Sequence, residues 1–376
     1  MNNKVLITAS TFQHLSHFHQ PYIRAFHEMG WEVHIGGAGD SAELDCADEI
    51  ISLPLKKSFF SASNFKAARQ LRVYIRCSGY DLIICHTSLA AFFTRLAAVG
   101  IKRQTKIINV VHGYLFDDDT PVLKSMVLKL AELVMAKQTD LVITMNEWDY
   151  QWAGTHRAAK ALSFVQGIGY DADRCKNCPE EYDFGTSKGD YVLIYPAEFS
   201  KRKNQAMLIR AMRLLPDRVK LLLPGSGALL RECRALAKNL GLEKRVIFPG
   251  YIQNVPAALR QADAAVTSSR SEGLPFNVLE AMNCALPVVA SDVKGNHDLV
   301  RDGVNGFLFP SDDEAAFAAA VEKLMNDRAS GTRMGKTGQA LAEKYSIEKV
   351  LPKLMTEYMS VTAEPETNKL TDRRTK

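Results

Sequence analysis

Long hydrophobic runs are missing from this chain. Nowhere in its 376 residues does an apolar stretch approach the roughly 18 consecutive positions that a membrane-crossing helix needs. The opening M-N-N-K-V-L-I-T-A-S is predicted as a first strand and not a secretory leader, so a cytoplasmic location is expected. Cysteine is scarce: seven residues, odd in number and scattered, argue for reduced thiols and against a disulfide framework. Cys175 and Cys178 make one C-x-x-C with neither a second pair nor a redox context, and are read as part of a solvent-facing linker. No glycine loop follows the first strand. P-G-S-G at Pro224 to Gly227 does follow a predicted strand, Lys220 to Leu223, but Leu230 stands where a dinucleotide fingerprint needs its third glycine. A Rossmann dehydrogenase is therefore not expected. With a net charge of only +5 and no recognisable module, nucleic acid is not an expected partner.

What is present is an ordinary globular composition, 47% apolar and 24% charged, in a chain too long for one core; two domains follow. Short apolar strands alternate with amphipathic helices. Strands are predicted at Lys4 to Ala9, Trp31 to Ile35, Leu82 to His86, Ile107 to Val111 and Leu141 to Met145. A helix carrying Phe18, Tyr22, Phe26 and Met29 on one face ends at Gly30. This alternation is the mark of a doubly wound α/β domain over 1–170. A polar, glycine-containing linker spans 171–190, a second alternating set runs over 191–345, and the polar segment 363–376 is expected to be disordered.

The most informative segment is S-E-G-L-P-F-N-V-L-E-A-M, Ser271 to Met282. Asp263 to Ser268 before it reads as a strand, Ser269 to Pro275 as a turn, and Phe276 to Met282 as the start of a helix. Glu272 then lies beyond the carboxyl end of a strand, where open parallel sheets bind ligands, and Glu280 about a turn into the helix. The amides of that first helical turn suit a diphosphate, and the two carboxylates can accept hydrogen bonds from sugar and ribose hydroxyls. Together they describe a sugar-nucleotide pocket.

This segment resembles the glutamate-x7-glutamate signature of retaining glycosyltransferases of the GT-B architecture, specifically glycosyltransferase family 4. Further blocks keep the family's order: Y-V-L-I-Y-P-A-E-F-S-K-R-K-N from Tyr191, L-L-L-P-G-S-G from Leu221, V-I-F-P-G-Y from Val246, L-P-V-V-A-S-D-V-K-G from Leu286 and D-G-V-N-G-F-L from Asp302. In the first half, F-H-Q-P-Y from Phe18, D-L-I-I-C-H-T from Asp81, V-V-H-G-Y from Val110 and I-T-M-N-E-W-D-Y from Ile143 resemble the bacterial branch that builds exopolysaccharide and capsule repeat units.

The resemblance implies two Rossmann-like domains facing across a cleft, acceptor-binding first and donor-binding second, with 346–362 forming a helix that crosses back to the first. It implies transfer of a hexose or N-acetylhexosamine from a nucleoside-diphosphate donor, with UDP expected, to a polyprenyl-diphosphate-linked saccharide, with retention of configuration. No cofactor and no metal is implied, because lysine and backbone amides neutralise the diphosphate. Lys203, Glu272 and His112 take the catalytic positions. Glu280 holds the ribose, and Gly225, Tyr251, Gly273, Leu274, Pro275, Phe276 and Asn277 complete the donor site. Glu198 stands where many members carry a diphosphate-binding arginine, leaving Arg202 or Arg270 to substitute.

Of the remaining candidates, His14, His17 and His19 superficially suggest a metal cluster. Because His17 and His19 lie where other members have a glycine-rich loop, they are read with His86 as lining the acceptor site. The D-x-D within Asp117, Asp118 and Asp119 precedes Thr120-Pro121 and is read as helix capping or acceptor contact. Lys56 to Arg76 interleaves six cations with Phe59, Phe60 and Phe65 and has no acid, which suits an anionic membrane surface and a peripheral position on its inner face. A non-catalytic sugar-nucleotide-binding subunit, a UDP-sugar epimerase and a sucrose- or trehalose-type synthase are the alternatives.

Overall fold

The computed structural model describes residues 3–41, 44, 46–101, 104–118, 120–175 and 181–362. The tail at 363–376, Cys178 and Asp119 lie outside the described residues. The described residues form two compact units, one made of those up to 169 with those of 348–362, the other of those within 170–347.

Unit 1 runs β1 (Lys4–Thr8), α1 (Phe12–Phe18), α2 (Gln20–Glu28), β2 (Glu32–Gly37), β3 (Glu49–Ser52), α3 (Ala62–Ser78), β4 (Leu82–His86), α4 (Ser88–Ala98), β5 (Lys106–Val111), α5 (Val122–Ala136), β6 (Leu141–Thr144), α6 (Glu147–Thr155) and β7 (Ala161–Phe164). Its seven strands are all parallel in the order β3-β2-β1-β4-β5-β6-β7. The near-continuous apolar strands follow from a sheet covered on both faces.

Unit 2 runs β8 (Tyr191–Ile194), α7 (Gln205–Ala211), β9 (Val219–Pro224), α8 (Leu230–Asn239), β10 (Val246–Gly250), α9 (Val255–Leu259), β11 (Ala264–Thr267), α10 (Phe276–Asn283), β12 (Val288–Ser291), α11 (Asn296–Leu299), β13 (Gly306–Phe309), α12 (Glu314–Asn326) and α13 (Arg328–Ala342). Its six parallel strands are ordered β10-β9-β8-β11-β12-β13. The last helix, α14 (Ile347–Ser360), belongs to unit 1 from Glu348 onward, where Tyr358 packs on Tyr22 and Phe26.

The strand predictions at β1, β2, β4, β5 and β6 hold to within a residue or two; β3 and β7, short edge strands, were not anticipated. The single helix expected between Phe18 and Gly30 is instead α1 and α2, broken at His19, whose φ of −120° is not helical. Pro21 sits in the first turn of α2, a position that needs no backbone donor, and its missing N–H opposes a continuous helix through α1. Met29, expected on the buried face, is 51% exposed. Neither Asp117 nor Asp118 caps α5, contrary to the expectation for the acidic triplet. Pro121 is the N-cap with no side-chain bond; Asp117 accepts from the Thr120 hydroxyl at 2.7 Å and Asp118 from Trp148 Nε1 at 3.0 Å.

In each sheet the chain leaves the first strand in both directions, so the switch point lies between β1 and β4 in unit 1 and between β8 and β11 in unit 2. Ligands bind outside the carboxyl ends of strands at such points. Small residues let neighbouring elements of unit 2 come close. A Cβ at Gly335 of α13 would stand 1.9 Å from the Ala285 carbonyl oxygen, and one at Gly306 of β13 would stand 2.0 Å from that of Val288. Gly335→Ala should therefore cost about 1–3 kcal/mol through overpacking, read as a lower urea midpoint with unchanged slope.

Candidate active site

At the switch point of unit 2, the loops after β8 and β11 are laced together. Arg270 N donates to the Arg202 carbonyl at 2.8 Å, and the Ser268 hydroxyl donates to that of Asn204 at 2.9 Å. This lacing delivers Glu272, 7% exposed, against three donors. Lys203 Nζ lies 2.5 Å from Oε1, Ser269 Oγ donates to the same oxygen at 2.6 Å, and Arg202 Nη1 bonds Oε2. Burial raises the carboxyl, but Lys203 and Arg202 more than offset it and hold the group below the usual carboxylate range. Arg202 keeps half of its side chain exposed, so the cluster presents a cation to solvent.

Of the two arginines that could replace the cation missing at Glu198, only Arg202 joins this cluster. Arg270 is turned to Asp312, bonding both oxygens at 3.0 and 3.1 Å. Gly225 and Gly227, with φ of +145° and +146°, follow β9; a Cβ at Gly225 would meet the Ala197 carbonyl oxygen at 2.1 Å. The glycine is thus required where this loop crosses the strand-end backbone beside it. Gly273, Leu274 and Pro275 lead into α10, whose first turn carries Phe276 and Asn277. Gly295, the last residue of L-P-V-V-A-S-D-V-K-G, carries no local signal of a site role and has φ of +84°. A Cβ there would lie 2.8 Å from the carbonyl oxygens of Glu272 and Gly273, so it is this glycine that admits the glutamate loop. Tyr251, after β10, is 75% exposed.

Glu280 stands on α10, half-buried. Burial pushes its carboxyl up to about 7, with Arg174 pulling it down less strongly. On the same side, Cys175 Sγ donates to the Glu280 carbonyl, and Cys284 Sγ lies 3.1 Å from Cys175 Sγ.

Unit 1 gathers histidines at its own switch point. His86 ends β4, His112 follows β5, and His14 and His19 sit on and after α1, the first helix beyond β1. His86 Nδ1 and His112 Nε2 are 3.0 Å apart, His19 stacks on His86 at 3.7 Å, and the Nε2 atoms of His14 and His19 approach to 3.3 Å. Burial, then repulsion from the neighbouring rings, lowers His19, His86 and His112 well below the ordinary imidazole value; burial, then His17, lowers His14 to about 4. All four are neutral at pH 7. His17, grouped with them in the sequence, is exposed and bound to the carbonyl of Gln13 on its own helix at 2.9 Å; His14 takes its place in the cluster.

The ionic cluster is testable by a double-mutant cycle. Glu272→Gln alone strands the buried Lys203 ammonium and should cost about 3 to 5 kcal/mol, whereas Glu272→Gln with Lys203→Met should cost less than the sum of the single changes. Additive losses in urea titrations would show that the pair carries no coupling.

The model for Glycosyl transferases group 1 matches residues 180–341, and that for Glycosyltransferase Family 4 matches residues 22–162. EpsD of Bacillus subtilis (strain 168) is 35% identical over 357 residues, which span 92% of this chain and 93% of EpsD. The UDP-Gal:alpha-D-GlcNAc-diphosphoundecaprenol alpha-1,3-galactosyltransferase of Escherichia coli is 23% identical over 311 residues, 79% of this chain and 80% of that enzyme. The crystal structure of Anabaena HepE in complex with UDP and glucose superposes with a TM-score of 0.78 at 21% identity, over 96% of this chain and 100% of HepE, and so shares the fold. With the two glycosyltransferase models matching separate stretches of the chain and a relative at this identity along nearly its whole length, the chain belongs to the GT-B glycosyltransferases of group 1 and family 4.

Proposed function

We propose that the protein transfers a hexose or N-acetylhexosamine from UDP to a polyprenyl-diphosphate-linked saccharide, with retention of configuration, in exopolysaccharide or capsule assembly. The observation that carries this reading is the buried Glu272 carboxylate held by Lys203, Arg202 and Ser269 at the switch point of unit 2. Two cations bound to Glu272, in the loop that leads into α10, suit a diphosphate without a metal ion there. On donor binding, the phosphates draw Lys203 and Arg202, and Glu272 is released to accept hydrogen bonds from sugar hydroxyls. As the diphosphate departs, the same cations meet its growing charge. Glu280 holds the ribose, Tyr251 and the Gly225 loop complete the donor site, and His112, with His86 and His19 around it, serves the acceptor half of the reaction. The galactosyltransferase of Escherichia coli, whose name specifies a UDP-sugar donor and a diphosphoundecaprenol acceptor, supports both substrate classes.

A surface of unit 1 supports a lipid-borne acceptor. Among the described residues no helix is long and apolar enough to cross a membrane. Yet α5 leaves Leu123, Met126, Leu130 and Val134 exposed along one side, at helical spacing, with Lys124 and Lys129 among them. Its one acid, Glu132, is buried against Arg95 at 2.9 Å. Phe60 and Phe65, from the basic segment before and within α3, are also exposed. A small apolar groove lined by Phe59, Leu89, Phe92, Leu115, Phe116 and Leu128 adjoins α5. We assign this apolar, cation-bearing face to the anionic inner leaflet, so α5 adds to the segment 56–76 in that role.

Incubation of the purified protein with a panel of UDP-sugars and a short polyprenyl-diphosphate saccharide, read by mass spectrometry, should show one added sugar. An altered free sugar nucleotide would point to an epimerase, and nucleotide binding without transfer would point to a non-catalytic subunit. UDP affinity should rise as pH passes upward through about 7, where Glu280 ionises beside Arg174 and Cys175, and Glu280→Gln should weaken binding and flatten that rise. The variant Leu123→Glu, Met126→Glu should lose most of its co-sedimentation with phosphatidylglycerol vesicles while retaining UDP binding.

A further inference from the structure

The histidines of unit 1 form a second constellation with a chemistry of its own. The rings of His14, His19 and His112 occupy the corners of a nearly equilateral triangle, with centroids 5.2 Å apart for His14 and His19, 5.1 Å for His14 and His112, and 5.3 Å for His19 and His112. One ring nitrogen from each falls within 4.8 Å of the other two. The 3.3 Å between the Nε2 atoms of His14 and His19 is longer than a normal N–H hydrogen bond. It equals the edge of a tetrahedron whose centre lies about 2.0–2.1 Å from each nitrogen, the zinc–imidazole bond length. His19 is fully buried, so the ring nitrogen that it turns to His14 is shut away from water.

We propose that His14, His19 and His112 form a binding site for a late first-row divalent ion, with Zn²⁺ the best match. Three neutral imidazoles, with neither thiolate nor carboxylate among them, are a donor set suited to zinc, copper or nickel and not to calcium or magnesium. Three protein ligands also leave a fourth position open. The site differs from the His14, His17, His19 grouping that the sequence suggests. His17 is bound to its own helix, whereas His112 arrives from β5, 93 to 98 positions away in the chain, fixed through its Nε2 by His86. Every ligand belongs to unit 1, and the diphosphate cluster of unit 2 takes no part.

The test uses untagged, full-length protein stripped with a chelator and needs neither donor nor acceptor. Titration with Zn²⁺ by calorimetry should show one equivalent bound, and Co²⁺ should give the visible absorption band of a tetrahedral nitrogen-rich site. His14→Ala and His19→Ala should each lower Zn²⁺ affinity by about tenfold or more and bleach the cobalt band, while His27→Ala, an exposed histidine of α2, leaves both unchanged. Thermal melts of the variants separate lost folding from lost binding; should His19→Ala fail to fold, the half-buried His14 decides. Absence of stoichiometric Zn²⁺ binding by the wild-type chain, or full affinity in folded His14→Ala, overturns the proposal.

Discussion

A carboxylate shut away from water stays ionised only when cations stand beside it, and this requirement organises unit 2. Glu272 is charged because Lys203 and Arg202 are within bonding distance, and those residues come from a loop about seventy positions earlier. The loops after β8 and β11 must therefore meet, and the backbone bonds between Arg270 and Arg202 and the Ser268 bonds to the Lys203 and Asn204 carbonyls hold them there. Breaking one partner leaves the other desolvated and unpaired, so the cluster acts as a unit and not as three separate contacts. The same arrangement keeps positive charge in reserve for a polyanion.

The parallel sheets explain why such groups collect where they do. A strand that enters the interior apolar and leaves it polar places its first polar side chains at its carboxyl end, and two neighbouring strands whose connections run opposite ways leave a gap there. In unit 1 that gap receives four imidazoles, and in unit 2 it receives an ion cluster. Both settings are dry, and dryness shifts protonation in opposite senses. It keeps His14, His19, His86 and His112 neutral and raises Glu280 toward neutrality, whereas Glu272, with cations at hand, remains an anion.

Much of this could be read from residue order. The alternation of strands and helices, the strand-turn-helix around Glu272, and the paired glutamates all depend on local periodicity and turn chemistry, which sequence records directly. What sequence could not show was tertiary choice. Arg202 and Arg270 are equivalent on paper, and Asp312, 42 positions beyond Arg270, decides between them. His17 is nearer than His14 to His19 in the chain, two positions against five, but rotation about α1 turns His14 inward and leaves His17 exposed. Periodicity cannot tell an apolar helix side that faces outward from one that faces a core, and in α5 the packing of Glu132 inward onto Arg95 shows which side is which. Gly295 was visible as a glycine, but its purpose depends on a backbone that approaches from another loop.

The return of α14 to unit 1 has a consequence for how the chain is made. Tyr358 completes the aromatic packing around Tyr22 and Phe26, yet nearly all of unit 2 emerges from the ribosome between them. The amino-terminal sheet therefore waits, with an uncovered greasy patch, until the later sheet has been synthesised, and its final closure reports that translation has passed residue 358.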